Sequence, residues 1–254
     1  MKILCLVKQV PDSLEVHVGS DLTLQRDFVA QILNPADESA VELALRLRDA
    51  YGGSVTALSM GPERVEGTLR ELISRGVDRA VLLSAKECAG ADTLATARAL
   101  SAAVNRLGPF DLLLFGRRSQ DGETGQVGPM TAAMLNRPCI VNVVHADCDK
   151  GHLCARQLTE KGTITWQAEL PAVLTLCEWS YALRLPTFSG LRRAKTGEIL
   201  HLTPADIGLS AERCGLKGSP TRVCHISAKE AGVRQTKWLK TGEAAALLLR
   251  EVET

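Results

Sequence analysis

The chain has 254 residues, of which 45% are hydrophobic, so it is long enough for one large α/β domain or two small ones with a sizeable core. Lys and Arg total 30 against 29 Asp and Glu, and aromatics make up 4%, which argues against bulk nucleic-acid or membrane-surface binding and against a base-stacking platform. Eight cysteines occur without a CxxC pair and with five scattered histidines, a pattern of reduced, mostly buried thiols rather than a zinc site. No apolar run approaches the ~18 residues of a membrane span, and the N-terminus enters a strand-like run without a leader; the expected location is cytoplasmic.

In chain order, Lys2 to Val10 reads as a buried strand that ends at Pro11-Asp12. Leu14, Val16 and Val18, a Gly-Ser-Asp turn, then Leu22 and Leu24 carry a hairpin signature up to Arg26. Asn34 is placed to cap a helix whose first residue is Pro35. Its apolar stripe is Ala40, Val41, Ala44, Leu45 and Leu47, and Gly52-Gly53 ends it. The pattern repeats with a strand at 54–60, a helix at 63–75, a strand at 78–85, a helix at 92–107 capped by Asp92, and a strand at 110–115. Strands and helices alternating with short joints predict a parallel sheet covered on both faces, with ligands beyond the C-terminal strand ends. After Pro138 the rhythm changes. Runs at 139–146, 153–158 and 163–168, then Ala172 to Cys177, suggest an antiparallel extension. The segment Leu185 to Lys195 is a mixture of Pro, Gly, apolar residues and positive charge. A short turn at 203–206, a loop at 208–220, a last strand at 222–226, a polar stretch at 232–241 and a terminal helix at 242–252 complete the reading. The fold class is therefore α/β: a parallel-sheet, Rossmann-like nucleotide-binding domain over 1–220 with an antiparallel extension, followed by a C-terminal arm over 221–254.

The chemistry concentrates in Gly116 to Leu135, where a strand delivers a glycine-bearing loop onto a helix start near Pro129. Backbone N–H groups at a helix start have no partner within the helix, and the dipole there favours negative charge. Gly122, Thr124, Gly125, Gln126 and Gly128 offer N–H and side-chain donors, Arg117 and Arg118 add positive charge, and Asp121 and Glu123 offer acceptors to a ribose or an adenine. A tight turn that merely connects strand to helix has the same composition. Asp37 suits either a ribose or the first-turn dipole. No nucleophile, metal or acid–base constellation stands out, so no catalytic side chain and no metal ligand is assigned.

Four stretches occur in the order found in the beta subunit of electron transfer flavoproteins. They are Lys8-Gln9-Val10-Pro11-Asp12, Asn34-Pro35-Ala36-Asp37 with its helix, Met60-Gly61-Pro62, and Asp121-Gly122-Glu123-Thr124-Gly125-Gln126-Val127-Gly128-Pro129. Leu170-Pro171-Ala172-Val173 and Leu185-Pro186 to Lys195 extend the resemblance along essentially the whole chain. It implies a heterodimer with an FAD-bearing alpha subunit, on which the 221–254 arm packs, and a second adenine nucleotide in this chain. That nucleotide is a structural AMP in the respiratory type and a second FAD, reduced by NADH, in the electron-bifurcating type. The loop resembles the bifurcating DGDTAQVGP more than the AMP-type DDDxNQTGQ, and Val10-Pro11-Asp12-Ser13 resembles VPDT. The match implies FAD phosphates and ribose on Gly122 to Val127, adenosine near Leu6, Asn34, Asp37, Met60 and Gly116, and Lys8 with Val10 to Ser13 toward the flavin. Gly116-Arg117-Arg118 departs from the family's GKQ, Glu123 replaces an Asp and Gly125 an Ala. The stretch from about 183 to 196 resembles the loop that docks on acyl-CoA dehydrogenases, with Leu185 as anchor and Lys195 among its charges; packing on the alpha subunit is the other use such a loop has. Ferredoxin or flavodoxin would be the low-potential acceptor. An AMP-holding scaffold subunit and a redox-free regulatory ATP/AMP module are the alternatives.

Overall fold

The computed structural model describes residues 1–12, 30–149, 152–224, 238 and 240. The chain divides into two units, Met1–Val223 and Cys224–Thr254, and every element below belongs to the first. The hairpin expected over 14–26, the polar stretch at 232–241 apart from residues 238 and 240, and the terminal helix lie outside the described residues; of the last strand expected over 222–226, residues 222–224 form no strand and 225–226 lie outside the described residues.

Strand β1 (Lys2–Leu6) leads into a short strand β2 (Gln9–Pro11), which pairs antiparallel with β3 (Gln31–Leu33). Helix α1 (Pro35–Tyr51), β4 (Ser54–Met60), α2 (Glu66–Ser74), β5 (Arg79–Leu83), α3 (Thr93–Leu107) and β6 (Leu112–Gly116) then follow the alternation read from the sequence. Helix α4 (Val127–Met134) begins two residues earlier than expected, with Pro129 in its first turn. Strands β7 (Cys139–Asp149), β8 (His152–Thr159) and β9 (Gly162–Ala168) form the antiparallel extension.

Three elements differ from expectation. Strand β10 (Ala172–Leu176) is not antiparallel: it runs parallel between β6 and β7. All five of its residues are buried, as a central strand covered on both faces requires. Phe188–Thr196 is helix α5, where the sequence shows only a mixed segment. Its cap is Thr187, whose Oγ1 accepts from the Gly190 N–H at 2.9 Å. Gly190 is there because a Cβ would overlap the Ser74 carbonyl at the end of α2. Strand β11 (Ile199–Leu202), a short run in which only Leu202 is buried, closes the far edge beside β5.

The sheet order is β11-β5-β4-β1-β6-β10-β7-β8-β9, parallel from β11 to β7. Side chains alternate faces along each strand. Ile3, Cys5, Leu112 and Leu114 meet α1 and α2, whereas Leu4, Leu6, Leu113 and Phe115 meet α3 and Ala132 of α4. From β1 the chain steps through α1 and α2 to β4 and β5 on one side. It then returns through α3 to β6 on the other side. The order therefore reverses between β1 and β6, the place where a parallel sheet leaves a crevice at its C-terminal edge. Of the cysteines, Cys5, Cys177 and Cys214 are buried, Cys88, Cys139, Cys148 and Cys154 are half-buried and Cys224 is exposed, so fewer thiols are in the core than composition suggested. Among the described residues no helix is long and apolar enough to cross a membrane.

Leu114 lies wholly inside the central strand β6. Leu114→Ala is expected to destabilise the fold by about 2–5 kcal/mol, because transfer and cavity terms add, and a urea unfolding series reads this directly.

Candidate nucleotide site

The crevice is built by two side chains at the start of α1. Asn34 occupies the capping position but its side chain makes no capping bond to a backbone N–H of its own helix. Its Nδ2 instead donates to the Arg118 carbonyl at 2.9 Å, and its Oδ1 accepts from the Gln120 N–H at 3.0 Å. The role expected from the sequence, a helix cap, is thus replaced by a clip on the loop after β6. Asp37, one turn further, accepts from the Lys8 N–H at 2.7 Å through Oδ2 and from the Gly116 N–H at 2.9 Å through Oδ1. One carboxylate therefore ties the end of β6 to the chain leaving β1. Gly116 permits this closeness: a Cβ there would strike the Asp37 carboxylate and come within 2.7 Å of the Ala36 Cβ.

Burial pushes the Asp37 carboxyl up to about 7, against the lowering pull of the Lys8 N–H, the Asn34 side chain, the Gly116 N–H and the Lys8 ammonium. Lys8 is held in turn: its Nζ lies 2.7 Å from Asp121 Oδ1, whose side chain is 3% exposed, and donates to Ser119 Oγ at 3.3 Å. From the other flank the Arg117 N–H donates to the Leu176 carbonyl at 2.8 Å, and Glu178 draws in both arginines. Residues 116–121 are therefore fixed from three sides.

The second half of the loop is different. Gly122, Glu123, Thr124 and Gln126 are exposed. Glu123 and Gly125 have φ of 50° and 62°, the left-handed conformation that turns successive N–H groups the same way. Gly125 suits this and leaves 3.3 Å between a notional Cβ and the Arg117 carbonyl. The Glu123 N–H donates to the Ser119 carbonyl at 2.8 Å, and Thr93 Oγ1 donates to Gln126 Oε1 at 3.0 Å, tying the loop to the start of α3. Among the described residues the N–H groups of Thr124, Gly125 and Gln126 make no hydrogen bond, and they lie immediately before the first turn of α4. This is a cradle suited to a phosphate.

The structure thus brings Lys8, Asn34, Asp37, Gly116, Arg117, Asp121 and the loop to Val127 to one edge. Leu6 and Met60 end the adjacent strands β1 and β4, but the Leu6 side chain is 4% exposed and packs in the α3-side core, so it offers backbone rather than side-chain contact. Arg117 and Arg118 are not free cations, as the sequence suggested, since both are paired with Glu178. Ser119 and Glu178 were missed. Ser119 carries no pattern of its own, and Glu178 is brought to the loop only because β10 inserts beside β6. Leu185 and Lys195 lie far along the chain on the α5 segment, both exposed, where Phe188 is more exposed still at 90%.

The raised Asp37 value fixes a pH dependence. Its ordinary value is 3.8, so between about 4 and about 7 the folded state binds the extra proton, and stability falls as pH rises through that window. The slope from this group is at most about 1.4 kcal/mol per pH unit. Urea unfolding of the wild type and Asp37→Asn from pH 4 to 8 is expected to show a steeper decline in the wild type. Parallel curves would refute the assignment.

An electron transfer flavoprotein domain matches residues 21–207. The chain is 40% identical to the electron transfer flavoprotein subunit beta of Thermoanaerobacterium thermosaccharolyticum, over 89% of this chain and 88% of that protein. It is 37% identical to the FixA protein of Sinorhizobium fredii, over 96% and 89%. It is 39% identical to the acryloyl-CoA reductase electron transfer subunit gamma of Anaerotignum propionicum, over 88% and 86%. With a family domain over most of the described unit and relatives this similar along nearly their full length, the chain belongs to the electron transfer flavoprotein family as a beta-subunit-type (FixA-type) member.

Proposed function

We propose that this chain pairs with an FAD-bearing alpha subunit and holds an adenine nucleotide of its own, a second FAD that accepts hydride from NADH. Electrons then divide between the alpha-subunit FAD, serving an acyl-CoA dehydrogenase, and a low-potential acceptor such as ferredoxin or flavodoxin. The observation that carries the reading is the open half of the loop: three unpaired N–H groups at the α4 N-terminus, beside the sheet's reversal point. The wording Asp121-Gly122-Glu123-Thr124-Gly125-Gln126-Val127 favours FAD over AMP. A flavin held here would supply two-electron acceptance from a nicotinamide and one-electron release. The chain's residues would bind and orient it. Thr124 to Gln126 would take the phosphates, the backbone at Leu6, Met60 and Gly116 the adenosine, and Lys8, already braced by Asp121, would face the flavin end.

The α5 segment supports the dehydrogenase part. Leu185 and Phe188 are 80% and 90% exposed and Leu191 is 45% exposed, with Arg192 and Lys195 beside them. Such an apolar group ringed by positive charge fits a small transient interface. Arg184 presents it, through bonds to Glu42 and Asp49 on α1. The Anaerotignum relative is named as a subunit serving an acryloyl-CoA reductase, a reaction of the same class. A second reading, AMP in place of the second FAD, draws on the pairing of Arg117 and Arg118, which leaves backbone N–H groups enough for one phosphate.

Flavin and AMP counted per heterodimer after co-expression with the alpha partner test the reading: two FAD support it, one FAD with one AMP supports the second, and no flavin refutes both. NADH is expected to bleach flavin absorbance only in the first case. Gly125→Glu, which places bulk and charge at the cradle, is expected to lose the second nucleotide and retain the alpha FAD. Phe188→Ala and Leu185→Ala are each expected to raise KM for the dehydrogenase roughly tenfold with the nucleotide content unchanged, the size of a lost apolar anchor.

A further inference from the structure

Three cations and three carboxylates surround the cradle. Lys8 is taken by Asp121 at 2.7 Å. Glu178 stands between two arginines: its Oε2 lies 2.7 Å from Arg117 Nε and its Oε1 accepts from Arg118 Nε at 3.2 Å. Arg118 also leans toward Glu123, with Nη1 3.6 Å from Oε1. Each of these cations thus already faces a carboxylate, with Asp37 buried behind them, and the pull on an anion is left to the loop N–H groups and the α4 dipole. The Arg117 contact is close but poorly made. Its Nε is buried and has no properly directed hydrogen bond, so the guanidinium sits beside Glu178 by charge rather than by geometry. Arg118 divides itself between two carboxylates and is 40% exposed. Both guanidiniums therefore have something to gain from a better acceptor.

Glu178 itself is well held. Burial pushes its carboxyl up, but its own backbone N–H and the two arginines outweigh this and keep it below the ordinary range, so it is charged at neutral pH. It is placed by β10, two residues past the strand's end, and its side chain is 15% exposed.

We infer that Glu178 is a specificity determinant of the nucleotide site: it holds Arg117 and Arg118 away from the phosphates, so that a nucleotide with one phosphate is bound by backbone N–H groups alone and a nucleotide with two must draw an arginine off Glu178. The inference rests on the nucleotide reading above and adds to it which residue sets the preference between one phosphate and two. A pyrophosphate carries more charge than a monophosphate and reaches further along the loop, so it is the ligand that competes with Glu178 for the guanidiniums.

The test is calorimetric titration of the full chain with ADP and with AMP, at about 20 mM and about 500 mM salt, where screening lengths differ several-fold. Glu178→Gln is expected to tighten ADP about three- to fivefold at low salt, the size of a freed, partly exposed ion pair, with AMP changed less than twofold and the gain abolished at high salt. Arg118→Gln is expected to weaken ADP and leave AMP nearly unchanged. If Glu178→Gln weakens both nucleotides alike, Glu178 is a strut for the loop and the inference is wrong. If it tightens both alike, it does not discriminate between one phosphate and two, and the inference is equally wrong. A wild-type chain that binds neither nucleotide would overturn the nucleotide reading itself, a result distinct from either.

Discussion

The carboxylate of Asp37 is the contact on which the rest of the site depends. Two parallel strands, β1 and β6, end side by side where the sheet order reverses, and just past their ends the backbone bonds run outward, from the Val7 N–H to Leu58 on β4 and from the Arg117 N–H to Leu176 on β10, rather than to each other. Asp37 supplies the missing link by accepting one N–H from each. The arrangement places a carboxylate in a fully packed position, 5% exposed, with Cys5 near it. Such a group is costly to leave unsatisfied, and its two oxygens are answered by fixed backbone donors and the start of α1. The same closeness explains why glycine is needed at 116, because any side chain there would occupy the space of the carboxylate. With this clamp in place, Asn34 has only to catch the carbonyl and N–H of the next turn for the first half of the loop to be rigid.

Helix α1 carries this work at both ends. Its first turn holds the loop after β6, and its later turns hold the segment that leads into α5. Glu42, buried on that helix, is bridged by Arg46 and Arg184. Asp49 takes the second arm of Arg184, and Ser39 meets the backbone of Tyr181, over whose ring Arg46 lies 5.1 Å from the centroid. Burial alone would raise the Glu42 carboxyl; hydrogen bonds from Arg184 and Arg46 pull it below the usual range instead. A buried carboxylate with two guanidinium partners is a poor source of net stability but a strict specifier of position, and position is what the exposed Leu185 and Phe188 require. One rigid helix thus gives the cradle and the apolar segment a common frame of reference.

Much of this was legible in the sequence because the signals were local. Periodicity, glycine stops and the Asp92 cap locate α1 through β6, and the four stretches at strand ends mark the crevice before any packing is known. The parts that were not legible depend on who ends up beside whom. Five consecutive buried residues in Ala172–Leu176 say that a strand is covered on both faces, not which neighbours it has, so β10 was misjudged as antiparallel. That single placement hides Glu178 as well, since it reaches Arg117 and Arg118 only through the insertion of β10 beside β6. Helix α5 is hidden for another reason. Its glycine, which argues for a loop, is demanded by contact with the Ser74 carbonyl, a tertiary constraint overriding propensity. Asn34 shows the reverse error, a residue whose type fits a local cap but whose side chain is spent on a long-range bond.

The loop's division into a fixed half and an open half follows from what each must do. Donors for an anion bind well only if they are already in place, because ordering them at the moment of binding would consume the gain. The fixed half provides that order through Asn34 and Asp37 at the start of α1, Lys8 after β1, Glu178 after β10, and the backbone bond from the Arg117 N–H to Leu176. It leaves the N–H groups of Thr124, Gly125 and Gln126 without a hydrogen bond among the described residues. Backbone N–H groups read charge and shape at close range, and long, mobile cations add a reach that a second phosphate can use. In this chain those cations exist, as Arg117 and Arg118, but they are already spoken for by one carboxylate. The preference of the site is therefore set less by the glycine loop that first draws attention than by a glutamate two residues beyond a neighbouring strand.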